Sequence, residues 1–470
     1  MTQVLITNGR VLTQNDDRDV IDPGAVAVAG DRIVAVGPAE KLDSDFDPDT
    51  VIDAEGGAII PGLINSHVHV SDILLRGAGS QDRGLYDWLL NVKMPGTLAM
   101  EPADHALAAR LYCAESIQAG TTTFVENATE MQWDDLANTR KKLDVYDQLG
   151  VRNIYGAGIR DKPPNSEFLE LYDEITARDP GVAHPSPDEF TYETDTAIEG
   201  VESLLETVHD PESRQSVWPA PVVLETATRR ALEASSDLAQ RYDVMTTVHV
   251  AEAEVQEQGP LSSVEYLRNI GYLGERALLG HCVQISDRDV RLLAATDTKV
   301  AHNIGANMRL ATGFAPVVSM QETGVTVGLG TDNAILNDTI NPLSDARFVA
   351  SAHKGCHRDP GVVPAQKVFD MVTRDGAAAI GRAGDLGSLE AGKLADIAVV
   401  DLDHPHLTPA PDPVHALVYG LQGFEIETVL CGGDLLMKDR QLLTLDRDRS
   451  ELLADANERA EQIVERSGIQ

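Results

Sequence analysis

The segment Pro61-Gly-Leu-Ile-Asn-Ser-His67-Val-His69 joins an apolar, strand-like run to two histidines one residue apart. Side chains on one face of an extended strand repeat every second residue, so His67 and His69 point the same way. Paired imidazoles suit a borderline metal ion such as Zn²⁺, although a lone His-x-His pair is only weakly specific. The pair therefore predicts a metal site if further ligands follow in the chain.

Three further ligand candidates do follow, each directly after a short apolar run typical of a strand. They are His249, His281 and Asp332. A single residue of this kind is most often a hydrogen-bonded polar group at a strand end. The functional groups of (β/α)₈ enzymes, however, gather at the C-terminal ends of the strands. Ligand-type side chains at four strand ends, in order along one chain, favour a metal site.

Short apolar runs alternate with helix-length segments from about residue 58 onward. This alternation is typical of repeated β/α units. The predicted strands are 58–60 or the run directly after it, 122–126, 151–156, 216–218, 245–249, 277–280, 299–301 and 325–330. Eight such strands predict an α/β fold, a (β/α)₈ TIM-type barrel with insertions.

Both ends of the chain have a different, β-rich pattern. Residues 3–57 alternate like short strands separated by turn residues, and we interpret them as a small all-β unit. The pattern returns after residue 388 and ends in an amphipathic helix near 448–466. The expected parts are 1–57 as the N-terminal part of a β-sandwich, 58–388 as the barrel, and 389–470 as the rest of the sandwich plus the closing helix.

The charge is strongly acidic, because 75 Asp and Glu oppose 38 Lys and Arg among 470 residues and give a formal net charge of −37. Nucleic-acid and anionic-lipid binding depend on Lys and Arg, so we expect neither partner and instead a small-molecule substrate. The carboxylates are scattered rather than gathered in a tail. We interpret this as the hydrated surface of a salt-adapted protein.

Cellular location and cysteine chemistry follow from what the sequence lacks. No apolar run reaches the roughly 18 residues of a membrane span, and the N-terminus has no signal-peptide pattern, so we expect a cytoplasmic protein. The four cysteines lie far apart without Cys-x-x-Cys spacing. We therefore expect free thiols rather than a disulfide scaffold or a structural zinc module.

A carboxylate follows the third histidine candidate in the segment His249-Val-Ala-Glu252. In an acid-rich chain, Glu252 taken alone is most simply a solvated surface group. Its short offset from His249 instead favours a carboxylate beside the metal, where it would carry a proton between water and a leaving amine.

The chain resembles the amidohydrolase superfamily over nearly its whole length, in particular the mononuclear branch of methylthioadenosine/S-adenosylhomocysteine deaminase, cytosine deaminase and the triazine hydrolases. The segments that carry the resemblance are 61–69, 74–77, 120–124, 249–252, 280–283, 300–303, 307–310, 328–332 and 389–397. Their combination is highly specific for the superfamily. The resemblance implies the barrel, the terminal sandwich and a hydrolytic site.

The resemblance also implies roles for individual residues. The implied metal ligands are His67, His69, His249 and Asp332. Among the implied catalytic residues, Glu252 shuttles the proton, His281 hydrogen-bonds beside the metal, and Asp332 doubles as the base. Relatives with two metal ions often carry a carboxylated Lys at the end of the fourth strand, whereas 216–221 has no lysine. One divalent ion is therefore expected; Zn²⁺ is the first choice, and Fe²⁺ or Mn²⁺ also suits these ligands.

Substrate contacts are implied at Trp88, Arg76 and Asn303. Trp88 would stack on a heterocycle or simply pack as part of a lid, and Arg76 would bind substrate or join loops by an ion pair. Two positions depart from nucleoside-processing relatives. Tyr86 stands where they have an acidic residue, and Ala220 where they have a histidine, so the sequence leaves the heterocycle open.

Together these features predict a metal-dependent aminohydrolase that replaces a ring amino group of a purine, pyrimidine or s-triazine by a carbonyl group. Glu252 favours amine release, because a departing amine needs a proton and chloride does not. The alternative is a hydrolase of the same superfamily that cleaves a ring C–Cl bond or a cyclic C–N bond. A barrel without activity fits the complete ligand set less well. Only the resemblance indicates a homo-oligomer.

Overall fold

The fold is described from a computed structural model that covers residues 3–79, 82–129, 133, 136–163, 165–210, 212–253 and 260–469. The strands are β1 (Gln3–Leu12), β2 (Val20–Ala29), β3 (Arg32–Pro38), β4 (Thr50–Asp53), β5 (Ala58–Pro61), β6 (Leu63–His69), β7 (Thr121–Ala128), β8 (Arg152–Ile159), β9 (Gln215–Pro221), β10 (Thr246–Val250), β11 (Ala277–His281), β12 (Lys299–His302), β13 (Val327–Leu329), β14 (Asp332–Asn333), β15 (Ile397–Val400), β16 (Ile426–Cys431), β17 (Asp434–Lys438) and β18 (Gln441–Leu442).

Helices separate most of the central strands. They are α1 (Ala39–Asp45), α2 (Leu85–Trp88), α3 (Met94–Leu98), α4 (Pro102–Gln118), α5 (Ala137–Leu149), α6 (Ser166–Arg178), α7 (Thr194–Thr207), α8 (Arg229–Arg241), α9 (Ser263–Asn269), α10 (Asp287–Thr296), α11 (Ile304–Arg309), α12 (Val317–Thr323), α13 (Ala334–Asn337), α14 (Pro342–His357), α15 (Ala365–Met371), α16 (Arg374–Ala379), α17 (Pro413–Tyr419) and α18 (Arg449–Ser467). Short 3₁₀ helices span Ser71–Leu75, Pro187–Phe190 and Leu224–Thr226, and a π-helix spans Leu89–Lys93.

The central strands form two parallel sheets, in the orders β14-β6-β7-β8-β9 and β10-β11-β12-β13. Every residue of β7, β8 and β10 is buried, as expected for parallel strands covered on both faces. The predicted series of parallel strands is confirmed. The first of them is β6, the run directly after 58–60, because β5 itself belongs to another sheet.

The two ends of the chain pair in one nine-stranded sheet, in the order β18-β17-β16-β15-β5-β1-β2-β3 with β4 beside β1. Alternate side chains of β1 and β15, such as Val4 and Ile6 or Ile397 and Val399, enter a common apolar cluster. On the other side of β15, Ala398 and Val400 pack into the large core around the parallel strands. Because successive side chains of a strand point to opposite faces, β15 contributes to both apolar clusters and so connects the terminal sheet to the central sheets.

The N-terminal unit is not all-β as predicted, because helix α1 follows β3. Ala39 and Leu42 of α1 pack against Leu5, Ala25 and Ala27, on the face of β1 and β2 that is turned away from the other cluster. The helix is short, and its apolar positions three residues apart are too few to stand out in the sequence.

Two further expectations concern the whole chain. All four cysteines lie in described segments and are free thiols, as predicted. Among the described residues, no helix combines the length and the apolar character needed to cross a membrane.

Candidate active site

Three strand ends bring the predicted metal ligands together. β6 ends with His67 and His69, β10 carries His249, and β14 begins with Asp332 opposite Val68. The Nε2 atoms of His67 and His69 lie 3.4 and 3.2 Å from Oδ1 of Asp332. Nε2 of His249 lies 3.2 Å from Nε2 of His69. Two overlapping groups have the spacing to hold a metal ion: His67, His69 and His249 form one, and His67, His281 and Asp332 form the other.

Backbone partners fix the protons of two of these histidines. Nδ1 of His69 lies 2.7 Å from the carbonyl oxygen of Asn127, and Nδ1 of His249 contacts the carbonyl oxygen of Val222. A carbonyl oxygen only accepts, so each neutral ring carries its proton on Nδ1 and a lone pair on Nε2. Two lone pairs therefore face each other beside the carboxylate of Asp332. A cation between them turns this repulsion into coordination.

Burial sets the charges of the group. It lowers the pKa of His67, and it lowers the pKa of His249 well below the usual histidine value. Burial alone would raise the pKa of Asp332, but the hydrogen bond from Nε2 of His67 prevails and holds that pKa well below its usual range. Neutral imidazoles around an ionised carboxylate are the forms in which these side chains bind a metal.

The backbone turns sharply where the site residues lie. Two site residues, His281 (67°) and Asp332 (57°), have positive φ, and so do two residues next to site residues, Ala251 (49°) and Cys282 (51°). Such left-handed conformations cost non-glycine residues roughly 1–3 kcal/mol each and cluster at functional sites. The turn at Ala251 is held because its carbonyl oxygen accepts the N–H groups of Val283 at 3.0 Å and Gln284 at 2.8 Å. Glu252 follows directly on this turn.

Glu252 lies on the wall of the cavity that opens onto the ligand group. Its Oε1 is 3.5 Å from Nδ1 of His281, and the residue is 6% exposed. Burial first, and then the charges of Asp332 and Glu225, raise the pKa of Glu252 well above its usual value. The carboxyl group therefore keeps its proton at pH values where an exposed glutamate has lost it. That is the form a general acid requires.

Two amides hold the ring of His281. The Nδ2 atom of Asn307 lies 3.0 Å from its Nδ1, and the Nδ2 atom of Asn303 lies 3.3 Å from its Nε2. Burial lowers the pKa of His281 to about 3, so the ring is neutral. Asn303 contacts this histidine and does not line the described cavity. Asn307 and Asn127 were not singled out from the sequence, although Asn307 opens one of the family segments.

The cavity has a volume of about 540 Å³, and most of its wall is apolar. Side chains that give it this character include Leu85, Tyr86, Trp88, Met94, Phe168 and Val223. The cavity is large enough for a drug-sized molecule, and its mainly apolar wall with a few polar groups is typical of small-molecule sites.

Of the residues predicted to contact substrate, some line the described cavity and others do not. Trp88 lines the cavity and is 7% exposed. Arg76 lies outside the described cavity wall and pairs with Glu115 at 2.5 Å, which favours the alternative that it joins loops by an ion pair. Tyr86 lines the cavity, its ring meeting that of Phe168 at a centroid distance of 6.0 Å.

Comparison with known proteins agrees with this geometry. The model for the amidohydrolase family matches residues 58–436, and one for an imidazolonepropionase-like composite domain of bacteria matches 24–46. The chain is 34% identical to a 5-methylthioadenosine/S-adenosylhomocysteine deaminase of Syntrophobacter fumaroxidans, over 95% of each chain. It is 32% identical to an S-triazine hydrolase of Gordonia rubripertincta, over 100% of this chain and 98% of that one.

A comparison with solved structures also finds a similar enzyme. The adenosine deaminase of Xanthomonas campestris with bound Zn superimposes with a TM-score of 0.86 and 26% identity, over 98% of each chain. The resemblance seen in the sequence is thereby confirmed, and the α/β fold is that of the TIM-barrel enzymes among these relatives. On the match of 58–436 and these full-length relatives, the chain belongs to the amidohydrolase family.

Proposed function

We propose that this protein is a metal-dependent aminohydrolase that replaces the amino substituent of an aromatic nitrogen heterocycle by a carbonyl group. The observation that carries the proposal is the position of Glu252. It is a buried carboxyl group with a raised pKa, 3.5 Å from His281 and on the cavity wall beside the ligand group. An amine leaves only after it gains a proton, and Glu252 is placed to supply that proton.

The proposed metal is one Zn²⁺ ion held by His67, His69, His249 and Asp332. Three observations support the fit: the facing Nε2 lone pairs, the ionised carboxylate and the Nδ1 protons fixed by carbonyl oxygens. When bound, such an ion makes a water molecule nucleophilic near neutral pH. Zinc is also the ion named with the solved adenosine deaminase.

The proton transfers fall to residues of this chain. Asp332, ionised, accepts a proton from the attacking water. Glu252, protonated, donates to the ring nitrogen next to the attacked carbon. It then takes up the proton of the new hydroxyl group as the carbonyl forms and passes that proton to the departing amine, and Asp332 returns its own proton to Glu252. His281 is neutral, its Nδ1 accepts from Asn307, and its Nε2 therefore carries the proton that it donates in a hydrogen bond to the oxygen on which charge develops. The balance is ring C–NHR plus water to ring C=O plus RNH₂.

The proposed substrates are amino-substituted purines, including nucleosides, pyrimidines and s-triazines. The relatives act on such rings by their names, one on 5-methylthioadenosine and another on an s-triazine. Within the described cavity, Tyr86 and Trp88 offer ring faces on which a flat heterocycle stacks. Hydrolysis of a ring C–Cl bond or of a cyclic C–N bond in the same cavity is the alternative.

We further propose that β6–β14 close into one eight-stranded barrel, with β13 and β14 as two halves of the eighth strand. Two observations support closure. Val223, two residues after β9, bridges to His249 of β10, and β14, which follows β13 in the chain, pairs with β6. The shared cluster of β1 and β15 supports a terminal sheet folded over as a small β-sandwich. Residues 1–57 and 389–470 then flank the barrel of 58–388.

The experiment that tests the proposed function measures ammonia and amine release by the Zn²⁺-loaded protein at high salt. The panel contains aminopurines, aminopyrimidines, adenosine derivatives and alkylamino-s-triazines, with Glu252→Gln as the control. Release from one class of ring, lost in the control, supports the proposal and names the ring. Chloride release from chlorotriazines, or ring opening without free amine, selects the alternative, and no turnover of any ring overturns both.

A further inference from the structure

A buried lysine lines the cavity at a position that neither the motifs nor the proposed chemistry uses. Lys93 is 8% exposed and belongs to the wall that also contains Trp88 and Glu252. Burying an ammonium group is costly unless it is paired and hydrogen-bonded. The Lys93 ammonium group, placed between the protein interior and a largely apolar cavity, therefore needs hydrogen-bond acceptors both in the protein and in the cavity.

A π-helical turn brings Lys93 to this wall. The π-helix Leu89–Lys93 follows Trp88, and the N–H of Met94 donates to the carbonyl oxygen of Leu89, five residues back. In an α-helix, residues five apart lie on different faces, because one turn takes 3.6 residues. The wider π turn returns the fifth residue to nearly the same face. Trp88 and Lys93 consequently line one cavity.

On its protein side, the ammonium group has two acceptors among the described residues. Nζ donates to Oδ2 of Asp72 at 2.5 Å and to Oγ1 of Thr129 at 3.3 Å. Asp72 is itself occupied, since it also accepts from Asn333 and, at 3.3 Å, from Thr97. An ammonium group has three donors. Two are used in this network, and the third remains for the cavity that Lys93 lines.

We propose that Lys93 is a specificity-determining residue that donates this third hydrogen bond to an acceptor on the substrate ring, a ring nitrogen or a ring-bound oxygen. The inference rests on the proposed function and deepens it. Asp72 already neutralises the ammonium charge, and the rest of the cavity wall carries both signs, with Glu170, Glu174 and Glu225 beside Arg160 and Lys162. No excess positive charge therefore calls for an anionic ligand, and the proposed ligand is a neutral heterocycle with an acceptor on the edge that faces Lys93.

The test compares ligands that differ by one acceptor atom. The probes are methylthioadenosine with its monodeaza analogues, and an alkylamino-s-triazine with the pyrimidine in which one ring nitrogen is C–H. Binding to the Zn²⁺-loaded Glu252→Gln protein is followed by tryptophan fluorescence, because Trp88 lines the cavity. In this background, one nitrogen-to-carbon change is expected to weaken binding about 10- to 100-fold, the value of a hydrogen bond from a charged donor.

Three variants separate a role in substrate recognition from a structural role. The measured ratio is the Kd of the C–H analogue divided by the Kd of the parent ligand. In Lys93→Met this ratio is expected to fall to within about twofold of one, because the substitution removes the donor and leaves the cavity shape nearly intact. Lys93→Met leaves Asp72 buried without its cation, so the double variant Lys93→Met/Asp72→Asn, in which no charge is stranded, is measured beside it. Asp72→Asn alone is the matched control, because it disturbs the same network but keeps the lysine. It is expected to lower the melting temperature and to retain the ratio.

The outcomes are distinct. Loss of discrimination in both Lys93 variants, with discrimination kept in Asp72→Asn, supports the proposal. Equal weakening of all ligands in the Lys93 variants, with the ratio unchanged, shows a purely structural lysine and overturns the proposal while the proposed function stands. Binding of none of the heterocycles by the parent protein overturns the proposed function and this inference with it.

Discussion

The Nε2 atoms of His69 and His249 lie 3.2 Å apart, while each ring turns its Nδ1 to a backbone carbonyl oxygen. With the proton of each ring on Nδ1, the two Nε2 lone pairs repel each other unless a cation lies between them. Removing one of them, in His249→Ala, is expected to weaken Zn²⁺ binding by more than the roughly 10- to 100-fold that changes around a metal site cost. Chelator competition and elemental analysis measure this. His357→Ala, an exposed histidine, is the control and keeps its metal.

Glu252→Gln is expected to lower turnover by about 10²- to 10⁴-fold, the usual contribution of a positioned general acid or base. The amide fills the same space but carries no transferable proton, so metal content and melting temperature stay close to those of the parent. Glu170→Gln changes an exposed carboxylate on the same cavity wall and is the matched control. Equal activity of the Glu252 and Glu170 variants would contradict the assigned role.

That the side chains at the strand ends meet could be predicted from the sequence, because parallel strands end at a common edge and residues far apart in the chain come together there. His249 and Asp332 are examples, and their side chains reach His69 in the structure. The partners that orient them were not predictable. The partner of His249 is the backbone carbonyl oxygen of Val222, which every residue type has, so the sequence gives no sign of this contact. The pairing of Arg76 with Glu115 depends on how two distant segments pack.

The position of Lys93 on the cavity wall could not be predicted from the sequence either. Spacing in the sequence places it five residues after Trp88, which on a regular α-helix is another face. Only the π-helical turn Leu89–Lys93 puts both on one wall. Helix α1 was not predicted for a related reason. It is stabilised by packing on β1 and β2, and its own apolar pattern is too short to indicate a helix.

Gly330→Ala is expected to damage the site although glycine does no chemistry. A Cβ at Gly330 would lie 2.6 Å from Cβ of His67 and 2.9 Å from its carbonyl oxygen, so the strand carrying the ligand would have to move. Overpacking of this kind costs about 1–3 kcal/mol. A lower melting temperature together with weaker Zn²⁺ binding is the expected pair of results. Gly384→Ala, where the new methyl group meets nothing within 4 Å, should change neither.

Salt is expected to stabilise the protein. Acidic groups number 75 against 38 basic ones, so after every cation is paired the remaining carboxylates still repel one another. Raising the ionic strength from about 0.1 to 1 M shortens the screening length from about 10 to 3 Å and removes most of that repulsion. Melting temperatures measured across this range in KCl should rise steadily. A melting temperature that falls or stays level would show that attractive ion pairs dominate and that the surface is not adapted to salt.

Asp345 is expected to make stability fall as the pH rises. Burial raises its pKa from 3.8 to about 8, against the hydrogen bonds that both carboxyl oxygens accept from Asn337 at 2.8 and 2.9 Å. Between these two pKa values the folded state keeps a proton that the unfolded chain has lost. Within this window, this group lowers the free energy of unfolding by up to about 1.4 kcal/mol per pH unit.

Asp345→Asn removes this titration and keeps the size of the side chain. The variant should therefore gain on the parent as the pH rises toward about 8 and hold a constant advantage above that, because both parent states have then lost the proton. Urea unfolding at several pH values measures the difference. Asp338→Asn, on an exposed residue with a left-handed conformation that asparagine also adopts, is the control and should show no such trend. A difference independent of pH would show that Asp345 is already ionised in the folded protein.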